Sequence, residues 1–287
     1  MNNMYLPKFK IHPVFWFVLA AGLVTGHFWE VVIVFVIVFI HECGHAVAAM
    51  LAGWQITAIE LLPFGGVAKV ENHANRPLKE ELFVTIAGPI QHLWLPFASR
   101  MLASANFWSD AHHHLFITYN LMILLFNLLP VWPLDGGKLL YILLMKRFPF
   151  KKAYYYSLII SLILLLILTI SLLCLYPFAL SYMVVASFIG VSIYKEWRQR
   201  RYVFMRFLLS RWREEYQSDY SRRNKPIIVS SHMSISSILD LFYKGFNHRI
   251  IIRNKNKQRV IDEGELLNLY FSGNYARRRI GEFFEVC

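Results

Sequence analysis

The sequence predicts a polytopic α-helical membrane protein of six transmembrane helices with a small C-terminal α/β domain. Three observations predict it. The 287-residue chain is 56% hydrophobic with a mean hydropathy of +0.41, above the roughly 45–50% apolar content of soluble domains. Several uninterrupted apolar stretches approach the roughly 20 residues that a spanning helix needs. The last third then turns charged and polar. Residues 1–196 are therefore expected to form the membrane domain, 197–225 a basic juxtamembrane linker and 226–287 a cytosolic module.

The expected spans are Pro13–His27, Trp29–Ala52, Leu82–Leu102, Leu115–Leu129, Tyr154–Leu175 and Phe178–Tyr194. The first lacks a small-residue cleavage site and is followed at once by another span, so it is expected to be retained. An even number of spans places both termini on one side. The short segments on that side hold Lys8 and Lys10, then Lys69, Arg76 and Lys79, then Lys138, Lys146, Arg147, Lys151 and Lys152, while the other side has Arg100 alone near a membrane end. By the positive-inside rule that side is the cytosol. The three cysteines, Cys43, Cys174 and Cys287, are odd in number and scattered. They imply no disulfide framework and fit a reducing compartment.

Within the second span lies His41-Glu42-Cys43-Gly44-His45. Ionisable residues at bilayer depth cost at least about 2.5–3.5 kcal/mol on insertion scales, so they are kept for a task. Residues four apart share one face of a helix, so both imidazoles can hold one metal ion while Glu42 addresses its open position. Two neutral imidazoles suit zinc, and a carboxylate would complete a catalytic ligand set. Cys43 points away from both histidines and is expected to pack in the core.

The outstanding carboxylate is Asp135, in Asn127-Leu128-Leu129-Pro130-Val131-Trp132-Pro133-Leu134-Asp135-Gly136-Gly137. Here prolines end the fourth span and glycines allow a tight turn behind the acid. That span is short, and its chain is expected to unwind inside the protein instead of facing lipid. The partly alternating stretch Leu61 to Val70 is expected to form a hairpin with a Gly65-Gly66 turn, either dipping into the membrane or lining a groove, or else lying as an ordinary hairpin in the cytosol.

The pairing of His41-Glu42-Cys43-Gly44-His45 in an early span with an Asn-x-x-Pro-x-x-Pro-x-Asp-Gly run in a later one resembles the site-2 family of intramembrane zinc metalloproteases. The likeness extends over most of residues 30–150, including Leu62-Pro63-Phe64-Gly65-Gly66 and Ala87-Gly88-Pro89. It implies zinc held by His41, His45 and Asp135, water activation by Glu42, and contacts of Asn127 and Pro133 with an unwound substrate. Pairing of an extended substrate along the Gly65-Gly66 hairpin is a further expectation, from the alternation there. Where many members have asparagine this chain has His92, expected as a satisfied polar group. The six spans and C-terminal module are similar to the sporulation branch of the family. That likeness implies the sigma-K precursor as protein substrate, inhibitory sporulation membrane proteins as partners, and the mother-cell side of the forespore outer membrane as location.

His112-His113-His114 is expected in a solvated loop on the far side from Asp135. Arg198, Arg200, Arg201, Arg206, Arg211, Arg213, Arg222, Arg223 and Lys225 make a basic segment suited to anionic lipid headgroups. Nucleic acid is not expected as a partner of a segment tied to a membrane. Beyond it the pattern reads strand 226–229, Ser-capped helix 234–243, strand 249–253, short strand 260–261 and helix 263–271. This order resembles one cystathionine-β-synthase-type (CBS) repeat, a module that binds adenine nucleotides such as ATP in pairs, and so implies a homo-oligomer. The rival reading is a zinc-binding transporter or receptor without catalysis, which has little use for a non-ligand Glu42.

Overall fold

The computed structural model describes residues 8–11, 20, 22–54, 56–62, 65–70, 76–175, 180–215, 223–254, 257–273, 275 and 278–283. It divides into two compact units, Met1–His73 with Lys79–Leu139, and Ala74–Leu78 with Leu140–Cys287.

In the first unit, strand β1 (Lys8–Ile11) pairs parallel with β2 (Ile56–Leu62), which pairs antiparallel with β3 (Gly65–Val70). Helix α1 spans Phe28–Leu51, and the sheet lies against it. Its run of Val and Ile is a poor helix former in water. In hydrocarbon, however, a helix satisfies every backbone group within the segment, and that overrides propensity. The helix ends at Ala52-Gly53-Trp54. Gly53 takes φ +70° and donates to Met50 O, and Trp54 N donates to Ala49 O. This is the double bond of a Schellman cap, completed by Trp54 packing on Ala49.

Helix α2 (Leu78–Ser104) and α3 (Asp110–Asn127) form an antiparallel pair. Ile33, Ile37, Leu95 and Phe116 make the apolar core between them and α1. Ser109 caps α3 through His112 N. The expected solvated loop at 112–114 is thus corrected: the three histidines lie in the first turns of α3, and His113 is buried on Ser99 Oγ at 2.8 Å. The hairpin expectation also needs correction at its turn. Leu62 pairs with Gly65 and Leu61 with Gly66, so the glycines stand in β3 and the connection is 63–64, outside the described residues.

Helix α4 (Asp135–Arg147) was not foreseen as an element. In the second unit, α5 (Phe150–Leu175) packs on α6 (Leu180–Glu215). A mixed sheet follows: β4 (Arg223–Ser230) is parallel to β5 (Phe246–Asn254), and β6 (Lys257–Asp262) is antiparallel to β5. Helix α7 (Ile235–Leu239), capped by Ser234, and α8 (Glu263–Ser272) complete the expected β-α-β-β-α order. Helix α6 runs without a break through 197–215 of the expected linker. It buries Phe207, Leu208 and Arg211 beside Ile235, Ile250 and Leu266 of the module.

The molecule is a polytopic membrane-protease fold with several apolar helices. Among the described residues, α1 and α5 are long and apolar enough to cross a bilayer by composition alone. Leu162, Ile163, Leu166, Ile167 and Ile170 of α5 are exposed, as a lipid-facing helix requires. The expected span 82–102 falls within α2, 115–129 overlaps α3 as far as Asn127 and 178–194 overlaps α6 from Leu180, while most of Pro13–His27 lies outside the described residues. Two of these helices are less apolar for a structural reason: α2 and α3 carry the buried polar groups that surround the site.

Candidate metal centre

Helical spacing stacks His41 over His45 on the buried face of α1. The chain from Asn127 then turns through the two prolines and restarts as α4 with Asp135 as its first residue. The three side chains meet. His41 Nε2, His45 Nε2 and Asp135 Oδ2 are each 3.0 Å from the other two, and all three residues are buried.

Glycines make this approach possible. A Cβ on Gly88 would stand 2.2 Å from His45 Nε2, and one on Gly44 would stand 2.7 Å from Ala87 O. The backbones of α1 and α2 therefore touch where the histidines are. Gly136 and Gly137, expected in a turn, are instead helical positions pressed against the preceding loop. A Cβ would lie 2.1 Å from Leu128 O at Gly136 and 2.6 Å from Trp132 N at Gly137.

The hydrogen bonds behind the three atoms decide what they can hold. Val84 O can only accept, so His45 Nδ1–H donates to it at 2.8 Å, and in the neutral ring Nε2 carries a lone pair. The backbone carbonyl of His92 likewise accepts from Asn120 Nδ2 at 3.0 Å, which turns Asn120 Oδ1 toward His92 Nδ1 at 2.8 Å. His92 Nδ1–H then donates to that oxygen, so its Nε2 accepts from His41 Nδ1–H at 3.0 Å. The Nε2 of His41 is left with a lone pair. On the carboxylate, Lys138 Nζ takes Oδ1 at 3.0 Å and leaves Oδ2 to face the imidazoles.

Three electron-rich atoms thus converge in a buried space with every rear atom already engaged. Such a set repels itself unless a cation joins it, and two imidazoles with one carboxylate are the donors of a catalytic zinc site. The residues fit the metal that the sequence implies.

Glu42 is half-buried, one residue beyond His41. Asn127 is half-buried at the end of α3, where its Nδ2 donates to Ile123 O. Pro133 precedes Asp135 in the loop, and Gly65 and Gly66 lie in the edge strand of the three-stranded sheet. His92 is the satisfied polar group expected, but its link to His41 was not foreseen. Its sole sequence signal is one histidine just after Gly88-Pro89 in an apolar span. Lys138 was missed as well, although its position three residues after Asp135 at a helix start was a usable signal.

Comparison with known proteins agrees with this geometry. Residues 29–112 and 102–168 match peptidase family M50. The chain is 43% identical over 266 residues to the Stage IV sporulation protein FB of Bacillus subtilis, covering 92% of each protein. It is 34% identical over 131 residues to a zinc metalloprotease of Methanocaldococcus jannaschii, covering 44% of this chain and 38% of that one. Its fold is similar to the solved site-2 protease from the same archaeon, with a TM-score of 0.53, 26% identity, and coverage of 68% of this chain and 93% of the other.

Proposed function

This chain belongs to peptidase family M50 and is an intramembrane zinc metalloendopeptidase, and on that premise we propose that it removes the pro-sequence of a sigma-K precursor during sporulation. The observation that carries the reading is the convergence of His41, His45 and Asp135, joined to near full-length likeness to a sporulation protein. Family membership sets aside the rival transporter or receptor.

In this reading His41, His45 and Asp135 hold the zinc, which when bound supplies Lewis acidity to a water and to the scissile carbonyl. Glu42 takes the proton of the attacking water and passes it to the leaving amine. A peptide bond in a helix is covered and its carbonyl engaged, so the substrate must unwind before attack. Strand β3 is at the edge of its sheet, and an extended segment pairing beside Gly65 and Gly66 would have its backbone groups satisfied. Asn127, with one amide N–H donated to its own helix, offers its oxygen to that segment. Pro133 lines the approach. Inhibitory membrane proteins act by covering that approach.

Six spans with both termini in the cytosol place the C-terminal module on the side of a soluble precursor. The module works as one CBS-type repeat that pairs in a homo-oligomer, with adenine nucleotide altering its arrangement and hence substrate engagement. Any test of that role should use point substitutions, because deleting the module would expose Phe207 and Leu208, which are fully buried.

Glu42→Gln tests the enzymatic reading. It removes the proton acceptor and leaves all three metal-facing atoms, so zinc content should be normal while cleavage of co-expressed precursor falls by about 10²–10⁴-fold. Substantial residual turnover at full zinc would remove Glu42 from its role.

A further inference from the structure

We propose that His92 and Asn120 are positioning residues for the metal centre: together they aim the ring of His41 and keep its Nε2 lone pair pointed at His45 and Asp135. The inference rests on the reading that these three residues hold zinc.

The geometry makes the pair a clamp. Asn120 grips His92 twice, donating from Nδ2 to the His92 backbone at 3.0 Å and accepting at Oδ1 from its ring at 2.8 Å. A ring held at Nδ1 cannot rotate without breaking that bond, so its Nε2 stays directed at His41 Nδ1, 3.0 Å away. His92, Asn120 and His41 are all buried, at 2%, 4% and 3% exposure, so no water competes for these bonds. Each link also has one direction of donation, since the backbone carbonyl at its start can only accept. The far nitrogen of His41 is therefore specified by a chain of bonds that begins on the backbone of α2. A histidine ligand whose second nitrogen has a fixed partner binds metal better, because neither ring orientation nor tautomer must be selected on binding.

The same two helices carry an internal comparison. Two turns along, Ser99 Oγ and His113 Nδ1 make another buried α2–α3 bond at 2.8 Å that, among the described residues, has no hydrogen-bonded link to His41, and Trp108 Nε1 donates to Ser99 O beside it. If His92 and Asn120 only fasten α2 to α3, both pairs should behave alike. If they position His41, only one pair should affect the metal.

The experiment measures zinc retained by the purified, detergent-solubilised full chain under competition with a chelator, alongside helical content. The variants are His92→Phe, His92→Gln, Asn120→Ala and the control Ser99→Ala with His113→Phe. His92→Phe and Asn120→Ala should weaken zinc retention about 10–100-fold. His92→Gln, whose amide oxygen can still accept from His41 Nδ1, should recover much of the loss, and the control should hold zinc like the parent. If His92→Phe does not fold, Asn120→Ala decides between the two roles, because it keeps the ring and removes its hold. Parent-like retention in the His92→Phe or Asn120→Ala protein, no advantage of Gln over Phe, or an equal loss in the control would each overturn the inference. A parent protein that holds no zinc would take it down together with the metal reading.

Discussion

Among the described residues, two clusters of buried charged and ionisable groups are built on opposite principles. In the C-terminal module, Arg211 from α6 donates to both oxygens of Glu263 and to the carbonyls of Tyr243 and Phe246. Glu263 Oε2 also accepts from His248 Nδ1 at 2.9 Å and from His248 N at 3.0 Å, while His248 Nε2 accepts from Tyr243 N at 3.0 Å. Donors and acceptors match, and the cluster is closed. At the membrane site the rear atoms are equally well matched, yet three acceptors face one another in front. A buried polar cluster that closes on itself fastens structure. One that leaves lone pairs in excess calls for a cation, and this surplus distinguishes a site from a fastener.

The strongest way to break the comparison is Gly88→Ala. Its methyl would stand 2.2 Å from His45 Nε2 and 2.8 Å from His41 Nε2, so the rings must shift. A misplacement of that order costs about a hundredfold in rate. Zinc content and precursor cleavage should fall together, and a normal zinc stoichiometry would show that the front atoms tolerate displacement.

Arg211→Met should act on the closed cluster alone. It removes the countercharge of buried Glu263, a loss of about 3–5 kcal/mol. The module should then unfold at lower denaturant while zinc content stays that of the parent, because every candidate ligand lies elsewhere in the chain. Zinc loss in this variant would show that the two clusters are not independent.

The smallest effect sharpens the comparison through pH. Burial pushes His248 below its ordinary 6.5, against the bond from Glu263, and the charges of Arg211 and Lys225 add to that lowering. Burial alone would raise Glu263, but Arg211 and the His248 bond outweigh it and hold the carboxyl below 4.5. Both groups bind protons less readily folded than unfolded, so their stabilisation is complete above about pH 6.5. It is lost as pH falls, first through His248 and then through Glu263. Denaturation of the module followed from pH 7.5 to 5 should show stability decreasing. A flat profile would mean that His248 carries no linkage.

Much of this was legible in the residues. The spacing of His41 and His45 specifies a shared helix face whatever the partners are, because it follows from the period of the helix. The expected end of the second span at Ala52 is where α1 closes, through Gly53 in the left-handed conformation that such a cap requires. The strand and helix order after residue 223 followed from period and capping at Ser234. Other features were not legible. Gly65-Gly66 looks like a turn by composition, but register against β2 puts it in a strand. His112-His113-His114 looks like a polar loop until Ser109 caps a helix there and Ser99 receives His113.

By itself the sequence determined the chemistry and the medium: apolar runs that need a bilayer, two imidazoles one helical turn apart, a carboxylate beside glycines, and a charged C-terminal module. Tertiary structure alone decided which atoms face one another. His41 and Asp135 are 94 residues apart, and His92 and Asn120 come from different helices. Hydrogen-bond direction passes through such contacts in space, from a backbone carbonyl to an imidazole and on to the next. No period or local propensity records it, because periodicity describes one helix at a time and the centre exists only where α1, α2, α3 and α4 converge.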